Sequence, residues 1–258
     1  MPDHSRQAPP LPYRTALVTG ASRGIGAAIV EAFTGLGLEV TAVARSRDAL
    51  NELGGRTGCT PLALDVTDTA ALETALRPLE IDVLVANAGI ITATGRFHTL
   101  GAAAIDAMLD TNIKAVMHTL RILLGGMIER RRGHIFLVTS VAARHPYADI
   151  GVYNATKAAL AMLAQCLRLE LVGTGVRLTE LAPGRVQTGI YLDAMGGDPA
   201  RVQETMYANK RVLTPADIAT TILHALTLPP QVDLSIIEIT PTDQAFGGLA
   251  YAEASEAG

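Results

Sequence analysis

Short apolar runs alternate along this chain with longer segments in which apolar residues recur at helical spacing. The apolar runs predict seven strands, at 15–18, 40–44, 61–64, 82–86, 134–138, 176–181 and 233–239. Strands that alternate with helices are typical of repeated βαβ units, in which a parallel sheet is covered by helices on both faces. The pattern therefore predicts an α/β fold with one seven-stranded parallel sheet.

The helical spacing places helices at 24–35, 102–129 and 151–171, and another from Thr214 onward. Residues 1–13 contain four prolines and no long apolar block, so we expect a flexible arm. Residues 14–258 show no internal break and predict a single domain of the doubly wound, Rossmann type. The segment 185–212 follows the sixth strand at the carboxyl edge of the sheet. It is either a substrate lid or a surface excursion, and we favour the lid.

Composition narrows the functional class. The chain is 49% apolar and 18% charged, with a net charge of −4 and a pI near 5.9. These values indicate a folded core and give no general attraction to nucleic acid or to an anionic membrane. Cys59 and Cys166 lack metal-ligand spacing, and no apolar stretch is long enough to span a bilayer. We expect a soluble, cytoplasmic protein without a metal site.

A glycine-rich turn joins the first strand to the first helix. Gly20, Gly24 and Gly26 stand in it together with Ser22 and Ile25. Glycines allow a tight turn and a close approach of backbone amides, and a helix N-terminus attracts phosphate. The turn alone could be backbone punctuation, but its position between a strand and a helix favours a dinucleotide site.

The end of the second strand indicates which dinucleotide binds. NAD sites place Asp or Glu there for the ribose hydroxyls, whereas this chain has Ala44, Arg45 and Ser46, and Glu39 lies at the opposite end of the strand. Arg23 in the glycine turn can reach the same place as Arg45. Guanidinium groups suit a 2′-phosphate, so the sequence predicts NADP(H).

Four polar residues form a candidate proton-transfer system: Asn112, Ser140, Tyr153 and Lys157. Tyr153 and Lys157 are four residues apart and share one helix face. A free tyrosine titrates near pKa ~10, and we expect the Lys157 ammonium and a nicotinamide ring to lower that pKa. Ser140 ends the fifth strand, where it can hydrogen-bond a substrate oxygen. Asn112 is expected to interrupt its helix and hold a water.

Because these motifs follow one another in this order, the chain resembles the short-chain dehydrogenase/reductase family along nearly its whole length. The resemblance implies that Asp65 contacts adenine, that Asn87 steadies the central sheet and that Thr188 meets the nicotinamide carboxamide. It implies Tyr153 as the acid/base and a homotetramer, or a dimer, as the assembly. The cofactor-binding residues it implies are Gly20, Ser22, Arg23, Gly24, Ile25, Gly26, Arg45, Ser46, Asp65, Val66, Asn87, Ala88, Gly89, Tyr153, Lys157, Pro183, Gly184, Val186 and Thr188.

The C-terminal third resembles one branch, the NADP-dependent 3-hydroxy acid dehydrogenases, through the segments 213–219, 228–230 and 237–244. Such a substrate needs a cation for its carboxylate. Arg144, His145 and Arg185 all fall on loops at the carboxyl edge, and Arg185 is our first choice. An arginine that is solvated or paired with a local acid is the ordinary alternative.

Three functions remain open from the sequence. The first is an NADP(H)-dependent oxidoreductase that transfers a hydride between nicotinamide and a carbonyl/alcohol pair, with small 3-hydroxy acids as the first substrate class. The second is a carbonyl reductase for neutral or bulkier ketones, and Met195 and Met206 would then line the pocket. The third is a non-catalytic NADP-binding regulator on the same fold, which the intact catalytic residues disfavour.

Overall fold

The computed structural model describes residues 11–208 and 210–244. Seven strands form one sheet in the order β3-β2-β1-β4-β5-β6-β7, and every neighbouring pair is parallel. They are β1 (Thr15–Thr19), β2 (Glu39–Ala44), β3 (Thr60–Ala63), β4 (Val83–Ala86), β5 (Gly133–Val138), β6 (Val176–Pro183) and β7 (Ile236–Ile239). The predicted seven-stranded parallel sheet is confirmed.

Helices cover both faces of this sheet. They are α1 (Gly24–Gly35), α2 (Arg47–Thr57), α3 (Thr69–Leu76), α4 (Ala102–Leu109), α5 (Ala115–Glu129), α6 (Gly151–Glu170), α7 (Pro199–Val202) and α8 (Pro215–Thr227). Apolar residues of α1, α2 and α8 pack on one face, and those of α3, α5 and α6 pack on the other. This doubly wound arrangement leaves the loops at the carboxyl ends of the strands to form a site.

Burial along the strands follows their position in the sheet. Every residue of β5 and β6 is buried, as expected for central parallel strands covered on both faces. β3 and β7 lie at the two edges and remain partly exposed. Pro61, which has no N–H to donate, stands in β3, where an edge strand tolerates it.

Three details differ from the sequence-based expectations, and the first concerns the N-terminal arm. Residues 1–10 lie outside the described residues, but Tyr13, which the prediction placed in the arm, is buried. Its hydroxyl accepts a hydrogen bond of 3.2 Å from the Nε of Arg177. Because this contact fixes the residue against the core, the predicted boundary of the arm at 13 is wrong.

The helix predicted at 102–129 is interrupted at Asn112, as expected, because the π-helical turn Asp110–Lys114 separates α4 from α5. The segment 185–212 is more regular than expected, since it contains α7 and the π-helical turn Gln203–Tyr207. β7 begins at Ile236 rather than at 233. Asp233 instead accepts the Leu178 N–H through its side chain at 3.4 Å, so the chain approaches β6 before backbone pairing starts.

Candidate active site

The turn between β1 and α1 has the features of a phosphate-binding turn. Gly20 and Gly24 have φ values of +67° and +58°, which glycine adopts without steric cost. A Cβ on Gly26 would lie 2.2 Å from the Gly20 carbonyl oxygen, so there is room only for glycine. α1 has neither a side-chain cap nor an acidic residue in its first turn. Its N-terminal N–H groups and positive dipole end therefore suit an anionic phosphate.

The end of β2 carries positive charge. Ala44 is buried, and the exposed Arg45 follows it. Ser46 caps α2, because its hydroxyl accepts the Ala49 N–H at 3.4 Å. Glu39 is the exposed first residue of β2, at the far end of the strand. The structure therefore places no acid where an NAD ribose would need one.

The two arginines that were expected to bind a 2′-phosphate lie on different loops. Nη1 of Arg23 is 3.5 Å from the position that a Cβ on Gly189 would occupy, so Arg23 extends beside the segment 185–212.

Asp65 accepts hydrogen bonds from the N–H and the hydroxyl of Thr67, at 3.0 Å and 2.8 Å. The N–H bond chiefly lowers the pKa of the Asp65 carboxyl, and the nearby charge of Arg45 lowers it further.

Asn87 joins the ends of β1 and β4. Its Nδ2 donates to the carbonyl oxygens of Thr19 and Gly20, at 3.0 Å and 3.3 Å. In return the Thr19 hydroxyl accepts the N–H groups of Asn87 and Ala88, each at 3.1 Å. Val66 is buried in the same layer of the core as β4. These bonds fix the glycine turn relative to the centre of the sheet.

Ser140, Tyr153 and Lys157 meet at the carboxyl end of β5. The Lys157 Nζ donates to the Val138 carbonyl oxygen at 2.9 Å and lies 5.6 Å from the centroid of the Tyr153 ring. The Ser140 hydroxyl donates to the Pro183 carbonyl oxygen at 3.4 Å and accepts the Ala142 N–H at 3.1 Å, and it lines the same cavity as Tyr153. Tyr153 and Lys157 are both buried. A hydroxyl, a phenol and an ammonium thus share one small volume.

The pKa of Tyr153 moves opposite to the expectation. Burial raises the pKa of the phenol, the neighbouring Tyr191 raises it further, and only the nearby Ser140 hydroxyl lowers it. Burial also lowers the pKa of Lys157 to about 8. The predicted lowering of the Tyr153 pKa by Lys157 is therefore wrong for the protein groups alone, because burial is the largest influence on both groups. The phenol of Tyr153 therefore keeps its proton.

Asn112 lies in the π-helical turn Asp110–Lys114 and is fully buried. Its Oδ1 accepts the Ile90 N–H at 2.8 Å, and its Nδ2 donates to the Ile90 carbonyl oxygen at 3.0 Å and to the Thr156 hydroxyl at 3.1 Å. The Thr156 hydroxyl in turn donates to the Tyr153 carbonyl oxygen at 2.8 Å. Both amide hydrogens are used, so only Oδ1 retains capacity for a water.

Gly89 stands close beside these groups, where a larger residue would be crowded. A Cβ there would lie 3.3 Å from the Lys157 Nζ and 3.5 Å from the Asn112 Oδ1. Gly184 is similarly crowded, because its Cβ would lie 2.6 Å from the Gln244 Oε1. Thr188 is held through its N–H, which donates to the Tyr207 hydroxyl at 3.2 Å. These contacts keep the loops after β4 and β6 close to the catalytic groups.

A cavity of about 410 Å³ opens over the carboxyl ends of the central strands. The predicted residues that line it are Ile25, Asn87, Gly89, Ser140, Tyr153, Lys157, Pro183, Gly184, Arg185, Val186 and Thr188. The predicted residues outside its lining are Gly20, Ser22, Arg23, Gly24, Gly26, Arg45, Ser46, Asp65, Val66, Ala88, Asn112, Arg144 and His145. The cavity therefore joins the predicted catalytic groups to the segment 185–212.

Arg185 presents a cation to this cavity. Its Nη1 donates to the Met206 carbonyl oxygen at 3.2 Å, and its backbone N–H donates to the Gln244 Oε1 at 2.8 Å. Within residues 11–208 and 210–244 its other guanidinium N–H groups have no acceptor, and no carboxylate lies within ion-pair distance. Tyr191, also in the lining, is close enough for the Arg185 charge to lower the pKa of its phenol against the larger effect of burial.

Arg144 and His145 do not reach the cavity, so their prediction as substrate-binding residues is contradicted. The Arg144 guanidinium forms a two-pronged ion pair with the fully buried Glu180, at 2.8 Å and 2.5 Å. The His145 Nε2 lies 4.0 Å from the Glu238 Oε2. Both side chains extend toward β6 and β7 because carboxylates stand there to receive them.

The sequence analysis missed three residues of this region. Tyr191 and Gln244 line the cavity, and the Gln244 Nε2 donates to the Tyr147 hydroxyl at 2.9 Å. Glu180 does not line the cavity, but it stands directly beneath the loop that carries Ser140. Its only sequence signal is an acid inside the otherwise apolar second half of β6.

Within 11–208 and 210–244 there is no cluster of three His, Cys, Asp or Glu side chains that is arranged to hold a metal ion. Over the same residues, none of the helices combines the length and the apolar character that crossing a membrane requires.

Comparison with known proteins gives consistent matches. A family model for short chain dehydrogenases matches residues 14–194. The chain is 41% identical over 243 residues to a short-chain type dehydrogenase/reductase, y4eK, of Sinorhizobium fredii. The matched region covers 94% of this chain and 97% of that protein. It is 38% identical to the NADP-dependent 3-hydroxy acid dehydrogenase YdfG of Salmonella typhi, over 91% of this chain and 97% of that protein.

A solved structure gives a similar result. The closed form of serine dehydrogenase complexed with NADP+ is 35% identical to this chain, with a TM-score of 0.89 over 92% of this chain and 99% of that one.

Proposed function

This chain belongs to the short-chain dehydrogenase/reductase family, and we propose that it interconverts a small 3-hydroxy acid and the matching carbonyl compound with NADP(H). The observation that carries the proposal is the common cavity of Ser140, Tyr153, Lys157 and Arg185. The first three suit proton transfer to a carbonyl oxygen, and the fourth is a cation for a carboxylate on the same molecule.

The proton-transfer chemistry follows from the geometry of the site. Bound NADPH supplies a hydride to the carbonyl carbon. Tyr153 is a protonated phenol, and it donates its proton to the carbonyl oxygen as that oxygen gains charge. The Ser140 hydroxyl, which lines the same cavity, stabilises the same oxygen. The Lys157 ammonium, with a pKa lowered to about 8, favours the phenolate that remains.

The residues around the cofactor site fit a phosphorylated dinucleotide. The uncapped N-terminus of α1 would hold the pyrophosphate, and Gly89 keeps the loop after β4 close to the Lys157 ammonium. Arg45 follows a neutral Ala44 at the end of β2, so the 2′-phosphate meets a cation and no carboxylate. Chemistry at these positions supports NADP(H), the cofactor named for the relatives.

Arg185 supports the acidic substrate class. Its guanidinium has N–H groups without an acceptor among the described residues, and a planar fork of donors matches the two oxygens of a carboxylate. The relatives are named for 3-hydroxy acids and for serine, which is itself a 3-hydroxy acid. A carboxylate held at Arg185 directs the other end of a short molecule toward Tyr153.

One observation favours a second substrate class. Met195 and Met206 line the cavity beside Ile190, and methionine side chains adapt to irregular apolar ligands. A neutral ketone would pack against this wall without using Arg185. Turnover of matched acidic and esterified substrates separates the two classes.

The test is NADP+ reduction with L-serine and 3-hydroxypropanoate, and NADPH oxidation with 3-oxopropanoate, its methyl ester and bulky neutral ketones. NADH is compared in each case. We expect turnover of the acids with NADPH. Turnover of neutral ketones alone would contradict the substrate class, and tight NADPH binding without any turnover would contradict the proposed activity.

Three further expectations belong to this proposal. The segment 185–212 closes over substrate as a lid of a single domain that includes Tyr13, and the protein works in the cytoplasm. We also propose a homotetramer, or a dimer, because Met117 of α5 and Met162 and Leu169 of α6 are exposed apolar side chains. A monomer in light scattering would contradict the assembly.

A further inference from the structure

An ion pair between the buried Glu180 and the partly exposed Arg144 lies next to the turn that carries Ser140. Glu180 of β6 has no exposed surface, and its two carboxylate oxygens accept from both terminal nitrogens of Arg144, at 2.8 Å and 2.5 Å. The Thr139 hydroxyl donates to the same carboxylate at 2.8 Å. Burying a carboxylate carries a desolvation cost that its partner seldom more than offsets. Stability alone is therefore a weak reason for this acid in the core.

The two partners of Glu180 flank Ser140 in the chain. Thr139 precedes Ser140, and Arg144 follows the short 3-10 helix Val141–Ala143 that Ser140 caps. Arg144 closes that turn by donating its backbone N–H to the Val141 carbonyl oxygen at 3.1 Å. One carboxylate thus holds both ends of the turn that places the Ser140 hydroxyl.

We propose that Glu180 and Arg144 are positioning residues that fix the Ser140 hydroxyl against Tyr153. Neither side chain lines the cavity, so neither touches substrate. Their effect reaches the reaction through the turn at 140–144, whose Ala142 N–H also holds the Ser140 oxygen at 3.1 Å. A hydrogen-bond donor that is held in advance costs no reorganisation when charge develops on the carbonyl oxygen. This inference rests on the proposed function.

The main experiment compares Glu180→Gln and Arg144→Met with the wild type, using NADPH and the carbonyl compound that the wild type reduces fastest. Misplacing a catalytic group by about 1 Å costs up to about 10²-fold, and we expect kcat to fall about tenfold in each variant. KM is expected to change less than about twofold, because the substrate contacts remain. The isotope effect with deuterated NADPH is expected to rise, because hydride transfer becomes slower.

Asp82 provides a matched control at the other end of the strands, directly before β4. Its buried carboxylate accepts from the Arg132 Nε at 3.0 Å and from the Arg14 N–H at 2.8 Å, remote from the cavity. Asp82→Asn is expected to lower the melting temperature as Glu180→Gln does, while kcat and the isotope effect stay at wild-type values. A similar fall of kcat in Asp82→Asn would show that general destabilisation is responsible, and would overturn the proposal.

A double-mutant cycle tests whether the pair acts through Ser140. In a Ser140→Ala background, Glu180→Gln is expected to cause almost no further loss of kcat, since the group it positions is gone. A full tenfold loss in that background would refute the positioning role while leaving the proposed function intact. A wild type that reduces no carbonyl would instead refute the proposed function, and this inference with it.

A compensated variant covers the case in which the single substitutions fold poorly. The double substitution Arg144→Met with Glu180→Leu removes both charges together, and apolar replacement of a buried ion pair usually preserves stability. We expect its melting temperature to recover while kcat stays low, because the turn at 140–144 is no longer tied to β6. Recovery of kcat together with stability would assign the pair a purely structural role.

Discussion

Replacing Arg185 by methionine is expected to impair turnover of acids selectively. Methionine keeps an unbranched stem of similar length against the cavity wall and removes the charge. A hydrogen bond to a charged group contributes about 1.5–3 kcal/mol, which corresponds to a loss of roughly 10- to 150-fold in kcat/KM for 3-oxopropanoate. Arg185 has no carboxylate partner in the described residues, so removing its guanidinium frees no carboxylate to form a new ion pair. No such gain therefore offsets the loss of kcat/KM.

The assay is NADPH oxidation with 3-oxopropanoate and with its methyl ester, which has the same carbonyl group and no charge. Turnover of the ester is expected to change less than about threefold, since it never used the guanidinium. Arg201→Met is the matched control, because Arg201 is exposed on α7 of the same segment and does not line the cavity. Equal losses for acid and ester, or an unchanged kcat/KM for the acid, would refute the assignment of Arg185.

Four further predictions concern the cofactor and the proton-transfer groups. Gly26→Ala is expected to weaken NADPH binding at least about tenfold in a fluorescence titration, because its Cβ would lie 2.2 Å from the Gly20 carbonyl oxygen; unchanged affinity would contradict the shape of the turn. Ala44→Asp is expected to lower the NADPH/NADH ratio of kcat/KM by about 10- to 100-fold, through repulsion of the 2′-phosphate, and an unchanged ratio would remove this basis for NADP preference. Since the pKa of Lys157 is lowered to about 8, kcat/KM for NADPH is expected to fall as pH rises through that value and the ammonium loses its proton; a level profile well above pH 8 would argue against this role. Asn112→Ala is expected to cost about 2 kcal/mol of unfolding free energy per backbone group left unpaired in the β4 loop, and a wild-type denaturant midpoint would contradict the bonding of the amide.

The sheet was predictable from the sequence because parallel strands covered by helices produce apolar runs with helical segments between them. The boundaries that failed depend on contacts between distant segments. Tyr13 looks like part of a proline-rich arm until Arg177, far along the chain, reaches its hydroxyl. β7 starts late because the side chain of Asp233 takes the bond that a backbone carbonyl would otherwise accept from Leu178.

The candidate site was predictable where local spacing sets geometry, as for Tyr153 and Lys157 on one helix face. It was not predictable where a long side chain has a choice of partners. Arg144 and Arg185 both lie on loops at the same sheet edge. The sequence does not indicate that Glu180 forms an ion pair with Arg144 and not with Arg185. The prediction that the pKa of Tyr153 is lowered failed for a related reason, since the degree of burial is a property of the whole packed site.

The central claim is that Tyr153 gives a proton to a carbonyl compound that receives hydride from NADPH in this cavity. The most direct test is the rate of NADPH oxidation with 3-oxopropanoate, measured for the wild type and for Tyr153→Phe at equal, saturating cofactor. The account predicts turnover by the wild type and a fall of about 10²- to 10⁴-fold in the variant, with NADPH affinity retained. A Tyr153→Phe enzyme that works at the wild-type rate would contradict it.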